Sequence, residues 1–88
     1  MVPLLRTNDA VLISFIEALL DESGIRHMVL DGNMSVVEGT LGIIPRRVMI
    51  PEDESLAAVR LLRDADLAHE IDPACLKAAG LNADGTPA

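Results

Sequence analysis

The strongest constraint on the fold is one long amphipathic helix that stands between two short apolar runs. At about 100° per residue, the apolar side chains of residues 9–23 fill an arc of about 200°, and these side chains are Val11, Leu12, Ile13, Phe15, Ile16, Leu19 and Leu20. The flanking runs, residues 2–6 and 26–31, have the length and composition of strands. A strand, a helix and a strand in this order predict a right-handed crossover between two parallel strands.

The second half of the chain predicts one more strand and one more helix. Residues 46–50 form the third strand, which residues 43–44 extend at its start and Pro51 ends. The acidic turn at 52–54 favours a helix N-terminus, and a second amphipathic helix is predicted over 53–67. The order β-α-β-β-α predicts a small α+β domain of the ferredoxin-like (split βαβ) type, with a three-stranded sheet and the helices on one face. Such a unit lacks a last strand, so one sheet edge has to be covered, blunted or paired.

Alternation along the strands predicts which side chains face the helices. We expect the helix side to carry Met28, Leu30, Val48 and Ile50. The open face then carries His27, Val29, Arg47, Met49 and one of Leu4 and Leu5. This face is of intermediate hydrophobicity, which suits a dimer or partner contact. Phe15, the only aromatic residue, is expected to be deeply buried against Leu19, Leu61 and Leu62.

The end of the chain differs in character from the rest. The dipeptide Asp-Pro at 72–73 is a strong helix start, and Gly80 is a typical helix stop. A helix this short is too short to be stable alone. We therefore expect a single α+β domain over 1–68 and a tail over 69–88, with one short helix at 73–79 followed by disordered residues.

The charge of the chain excludes several classes of partner. The net charge is −7, with eight acidic and three basic residues in 51–88 against six and four in 1–50. Such a surface repels phosphate backbones and anionic lipid, so we expect no nucleic-acid and no membrane partner. No apolar run approaches the length of a membrane span and no signal peptide is visible. Cys75 is the only cysteine, which excludes an intrachain disulfide. These features predict a cytoplasmic protein.

The sequence GNMSVVEGTLGIIP at 32–45 combines two properties that conflict. Its glycines, Gly32, Gly39 and Gly42, break regular structure, but its large apolar side chains cost free energy in water. The segment therefore packs on the edge of its own domain or contacts a partner or a ligand. We expect residues 34–44 to form a partly ordered arm that is buried against the sheet edge and a partner.

Three stretches of the chain resemble a known family. They are LLRTND (4–9), VLISFIEALLDESGI (11–25) and MSVVEGTLGIIPRRVMIPED (34–53). Together, residues 3–67 resemble the putative prokaryotic signal-transducing protein family, a small bacterial domain of unknown function that is often described as PII-like. The resemblance implies a compact β-α-β-β-α signalling domain, and it implies no known reaction, ligand or catalytic residue. The nucleotide-binding loops of PII proteins are not recognisable here, so nucleotide sensing is not implied.

Candidate chemistry is sparse. The chain has no P-loop, no dinucleotide-binding fingerprint and no paired-cysteine metal motif. His69, Glu70 and Asp72 lack the spacing of a helical ligand pair, and Cys75 has no identifiable catalytic histidine near it. We expect no enzymatic activity, no metal and no cofactor.

Arg46 and Arg47 are the candidate anion-binding residues. On a strand their side chains point to opposite faces, so one is expected on the helix side, paired with an acid from 52–54, and the other on the open face. Glu38 is placed to form a salt bridge with either arginine.

These features support two hypotheses of function. The first is a non-enzymatic regulatory or signal-transducing interaction module that binds a protein partner or a second copy of itself through segment 33–45 and the open sheet face. The second is a sensor of a small metabolite or anion, with its site near residues 33–47. The candidate binding residues are Met34, Val36, Val37, Glu38, Leu41, Ile43, Arg46 and Arg47.

Overall fold

The computed structural model describes residues 1–32, 44–82 and 85–87. The strands are β1 (Val2–Thr7), β2 (Met28–Gly32) and β3 (Ile44–Ile50), and the α-helices are α1 (Ala10–Glu22), α2 (Ser55–Asp64) and α3 (Pro73–Ala78). Two short 3-10 turns cover Glu52–Glu54 and Ala68–Glu70. The predicted order β-α-β-β-α is present, followed by α3.

The three strands form one sheet in the order β1-β3-β2. Strand β3 is antiparallel to both of its neighbours, so β1 and β2 are parallel, as a crossover through α1 requires. Leu5, Val48 and Ile50 are fully buried and share one hydrophobic cluster with the inner sides of α1 and α2. The prediction of an α+β, split βαβ fold with helices on one sheet face is confirmed.

Helix α1 is held at both ends by its own sequence. The Asp9 carboxylate accepts hydrogen bonds from the backbone N–H groups of Val11 and Leu12, at 3.0 and 3.1 Å, as an N-cap residue does. At the other end Gly24 has a φ of +71°, and the Ile25 N–H donates to the Leu20 carbonyl at 2.9 Å. This Schellman closure places the buried Ile25 against the core and directs the chain into β2.

Helix α2 is shorter than the predicted span 53–67. The acidic residues Glu52–Glu54 form a 3-10 turn, and the α-helix begins at Ser55, whose hydroxyl donates to the Glu52 carbonyl at 2.7 Å. It ends at Asp64 because Asp66 adopts a positive φ of 64°, a backbone conformation that cannot continue a right-handed helix.

The prediction that Phe15 is deeply buried is wrong, because its side chain is 50% exposed. The buried residues of α1 are Ile13, Ile16 and Leu20, which define a stripe of about 60° on the helical wheel. The apolar arc of the sequence is much wider than the strip that the sheet and α2 cover. Phe15 and Val11 therefore lie on the outer side of the helix.

The C-terminal segment packs into the same core as the sheet. Ile71, Cys75 and Leu76 belong to the hydrophobic cluster of the domain, and α3 packs against β1 and α2. The Asp72 N–H donates to the Leu4 carbonyl at 2.7 Å, on the outer edge of β1. The sheet edge that the sequence left without a strand is thus covered by this segment.

Candidate functional site

The face of the sheet opposite the helices is uncovered by the described residues and carries two cross-strand rows. Residues paired across neighbouring strands point to the same face. One row is apolar and consists of Pro3, Met49 and Met28. The other consists of Arg6, Arg47 and Leu30. None of these six side chains is buried, and Met28 is 47% exposed. We call this surface the open face.

The structure corrects the predicted sides of β2. Val29 pairs with the buried Val48 and lies on the helix side, whereas Met28 and Leu30 pair with Met49 and Arg47 on the open face. The prediction was the reverse. In the run Met-Val-Leu every residue is apolar, so no alternation marks the buried side, and the pairing with β3 decides it.

The prediction also placed His27 and one of Leu4 and Leu5 on the open face, and the structure shows none of them there. His27 precedes β2, and its ring lies against α1, with Nε2 3.2 Å from the Glu17 carboxylate and Nδ1 3.3 Å from the Ile25 carbonyl. Leu4 and Leu5 are both fully buried, although strict alternation would place one on the open face. The pairing of β1 with β3 shifts register between Pro3 and Leu5, and an irregularity of this kind re-aims neighbouring side chains.

The cationic row brings together two arginines that the sequence did not connect. Arg6 of β1 stands directly opposite Arg47 of β3, and like charges in this position repel each other. The Nε of Arg6 contacts the Asp72 carboxylate at 2.9 Å, which neutralises one of the two charges. Arg47 is half-buried and has no hydrogen bond or ion pair with any residue in the described part of the chain. Among the described residues, the row therefore has one positive charge without an acidic partner, and a ligand or binding partner can meet it.

Of the predicted site residues, the structure places only the two arginines. Arg46 is exposed and pairs in register with Thr7, and β3 directs Arg46 and Arg47 to opposite faces. The other six predicted residues lie outside the described residues, and they are Met34, Val36, Val37, Glu38, Leu41 and Ile43.

The end of the sheet beyond Met49 carries the opposite charge. Beyond Pro51, residues 52–54 bring three carboxylates, of which Glu52 and Asp53 are exposed. A shallow depression of about 560 Å³ adjoins this end, and it is lined by Met1, Arg26, His27, Met28, Pro51 and Glu52. Glu52 and the open-face residue Met28 thus line one surface. Sequence reasoning missed Arg6 and Pro3, because only the register of the pairing brings them to this face.

The residues considered for metal binding do not converge. His69 Nε2 lies 3.4 Å from the carboxylate of its neighbour Glu70. Asp72 instead caps α3, accepting a hydrogen bond from the Ala74 N–H at 2.8 Å, and pairs with Arg6. Within residues 1–32, 44–82 and 85–87, no three His, Cys, Asp or Glu side chains are grouped to hold a metal ion.

Cys75 is a core residue. Its side chain is fully buried, and its Sγ lies 4.0 Å from the Ser55 carbonyl. Burial raises the pKa of the Cys75 thiol to about 11, and the negative charge of Asp72 acts in the same direction. The thiol is therefore protonated at neutral pH and is a poor nucleophile.

Comparison with known proteins adds one finding to this geometry. No curated protein matches the chain. Across the part of the chain that the structure describes, no helix has the length and apolarity needed to cross a bilayer. Residues 1–66, which include β1, β2, β3 and the open face, match the family described as putative prokaryotic signal transducing protein. The chain therefore belongs to this family, as the three stretches of its sequence predicted.

Proposed function

We propose that the protein is a small, non-enzymatic signal-transducing module that binds a protein partner or a second copy of itself through the open face. The observation that carries the proposal is the row of Pro3, Met49 and Met28, which no described residue covers. Flexible methionine side chains adapt to a partner surface, and an apolar centre beside charged residues is typical of protein interfaces.

The glycine-punctuated segment is included in this proposed surface. It leaves the sheet at Gly32 and returns at Ile44, and these two residues pair with each other at the end of the sheet next to Leu30 and Arg47. The segment therefore begins and ends beside the cationic row. Its proposed binding residues are Met34, Val36, Val37, Glu38, Leu41 and Ile43, together with Arg46 and Arg47.

The proposal assigns no reaction to the protein. The only cysteine is buried with a raised pKa, and His27 lies between α1 carboxylates and a backbone carbonyl rather than beside a nucleophile. A nucleophile needs a base within hydrogen-bond reach, and the described residues bring no such pair together. The proposed location is the cytoplasm, whose reducing conditions keep a free thiol such as Cys75 reduced.

A capture experiment with matched surface variants tests the proposal. Immobilised wild-type protein is incubated with prokaryotic cell extract and with the free chain itself, and bound protein is quantified. Met28→Asp places a charge in the apolar row, so we expect it to abolish capture. Val11→Asp is the matched control, because Val11 is exposed on α1, away from the open face. Equal capture by both variants and the wild type, or no capture by the wild type, contradicts the proposal.

The opposed arginines favour a second candidate function, the sensing of a small anion. Arg47 and Arg6 are paired in register on the open face, and guanidinium groups bind carboxylate and phosphate groups well. A ligand that binds only the folded state raises the unfolding temperature by mass action. Thermal unfolding with inorganic phosphate or citrate should then show a rise that Arg47→Gln removes. Unchanged melting at saturating concentrations of both anions argues against these ligands and leaves the interaction module preferred.

A further inference from the structure

We propose that the open face is self-complementary and that two copies of the chain associate through it, face to face. This inference rests on the proposed function and names the partner as a second copy. Its basis is the order of charges along the face: cations at one end, an apolar row in the middle and carboxylates at the other end.

The order follows from strand β3 and its continuation. Arg47 and Met49 are alternate residues of β3, so their side chains share the open face about 7 Å apart. Beyond Met49 the strand ends at Ile50, and Glu52 begins the acidic turn. Glu52 lines the same depression as Met28, the neighbour of Met49. The apolar row thus lies between Arg47 and the acidic turn.

A two-fold axis along the apolar row converts this order into complementarity. If the axis runs across the strands between two stacked sheets, each apolar row meets its own copy. The cationic row of one copy then lies over the acidic turn of the other, and the reverse contact forms by symmetry. A symmetric dimer needs such a self-complementary patch, and each favourable contact in it occurs twice.

The charges present on each element decide between a second copy and other partners. The acidic turn carries three carboxylates, of which Glu52 and Asp53 are exposed, and Arg26 lines the same depression as Glu52. At the other end, Asp72 neutralises Arg6 and leaves the charge of Arg47. A nucleic acid would meet the carboxylates as well as the arginine and be repelled. A second copy, in contrast, supplies a partner for both ends of the face.

Complementary charge reversals test the pairing. Arg47→Glu makes both ends of the face acidic. Glu52→Arg cancels the net charge of the acidic turn, because Asp53 and Glu54 then balance Arg26 and the new arginine. Each variant alone should therefore dimerise more weakly than the wild type. An equal mixture of the two restores both contacts in a heterodimer. The matched controls are Arg60→Glu and Asp64→Arg, which make the same charge changes on the exposed side of α2.

Sedimentation equilibrium over a dilution series measures the association. We expect each open-face variant to raise the dimer dissociation constant at least about tenfold, equivalent to about 1.4 kcal/mol, and the mixture to return it toward the wild-type value. The control variants should match the wild type. Far-UV circular dichroism checks that every variant is folded, and Met49→Glu replaces Arg47→Glu in the self-association test if that variant unfolds.

Three outcomes overturn the inference: a monomeric wild type at every concentration, variants that dimerise like the wild type, or a mixture that stays monomeric. A monomeric wild type that still captures a partner through Met28 leaves the proposed function standing and removes only the second copy as the partner. An acidic partner is then indicated if capture weakens in Arg47→Glu and not in Glu52→Arg. Loss of both capture and self-association defeats both proposals.

Discussion

Truncation of three side chains on α1 tests how deeply each one is buried. Val11, Phe15 and Ile16 lie within two turns of the same helix, but their exposed fractions are 79%, 50% and 0%. Full burial of a phenylalanine side chain stabilises a fold by up to about 3 kcal/mol, so half-burial contributes about 1.5 kcal/mol. Alanine favours the helix over phenylalanine by about 0.5 kcal/mol. The expected net cost of Phe15→Ala is therefore about 1 kcal/mol.

The same reasoning gives a different value for each of the two neighbours. Ile16→Ala leaves a cavity in a closely packed core and should cost about 2–5 kcal/mol. Val11→Ala removes an exposed side chain and should be neutral or slightly stabilising, because alanine is the better helix former.

Urea unfolding followed by far-UV circular dichroism gives the free energy of unfolding of each variant, provided that the m-value stays constant. A Phe15→Ala cost equal to or above that of Ile16→Ala would refute the argument. It would show that Phe15 is covered in solution by a part of the chain or by a partner.

Three further predictions concern the C-terminal segment. Truncation after Leu67 removes three side chains from the core, and since small domains are only marginally stable, the remaining chain should be unfolded by circular dichroism; a native spectrum would support the domain boundary predicted at residue 68. Asp72→Ala should cost about 1 kcal/mol more than Asp72→Asn in thermal unfolding, because asparagine keeps the helix cap, and equal costs would contradict this. Burial raises the pKa of Cys75 from 9.0 to about 11, so folded protein should react slowly with iodoacetamide at neutral pH. Because the thiol ionises first in the unfolded chain, its contribution to stability should be lost as the pH rises from 9.0 to about 11, and a flat profile across that window would contradict the assigned burial.

Regular patterns in the sequence were sufficient to predict the main elements of the fold. The amphipathic period of residues 9–23 marked α1, and a helix between two short apolar runs implied parallel outer strands. The bounds of α2 were less predictable, because the positive φ of Asp66 occurs at a residue type that also fits a helix. Glycine would have signalled the end of the helix, whereas aspartate adopts this conformation only sometimes.

The candidate site was predictable only in part, because it depends on register. Alternation on β3 correctly placed Arg47 and Met49 on the open face, since Val48 and Ile50 are separated by one residue and are both buried. It could not place Arg6, because the irregularity after Pro3 shifts the pairing of β1. A single-residue shift in register moves every side chain to the other face. No residue type in this stretch indicates that such a shift occurs.

The residues that cover the outer edge of β1 lie beyond the region of the chain that matches the family. The match to the family ends at residue 66, yet Ile71, Cys75 and Leu76 fill the core beyond it. Any relative that shares only the matched region must bring its own element to the outer edge of β1. That element can differ without any change at Met28, Met49 or Arg47, because these residues lie on the open face and not at the edge. The outer edge of β1 is thus the place where the family domain can carry different C-terminal elements and keep the same open face.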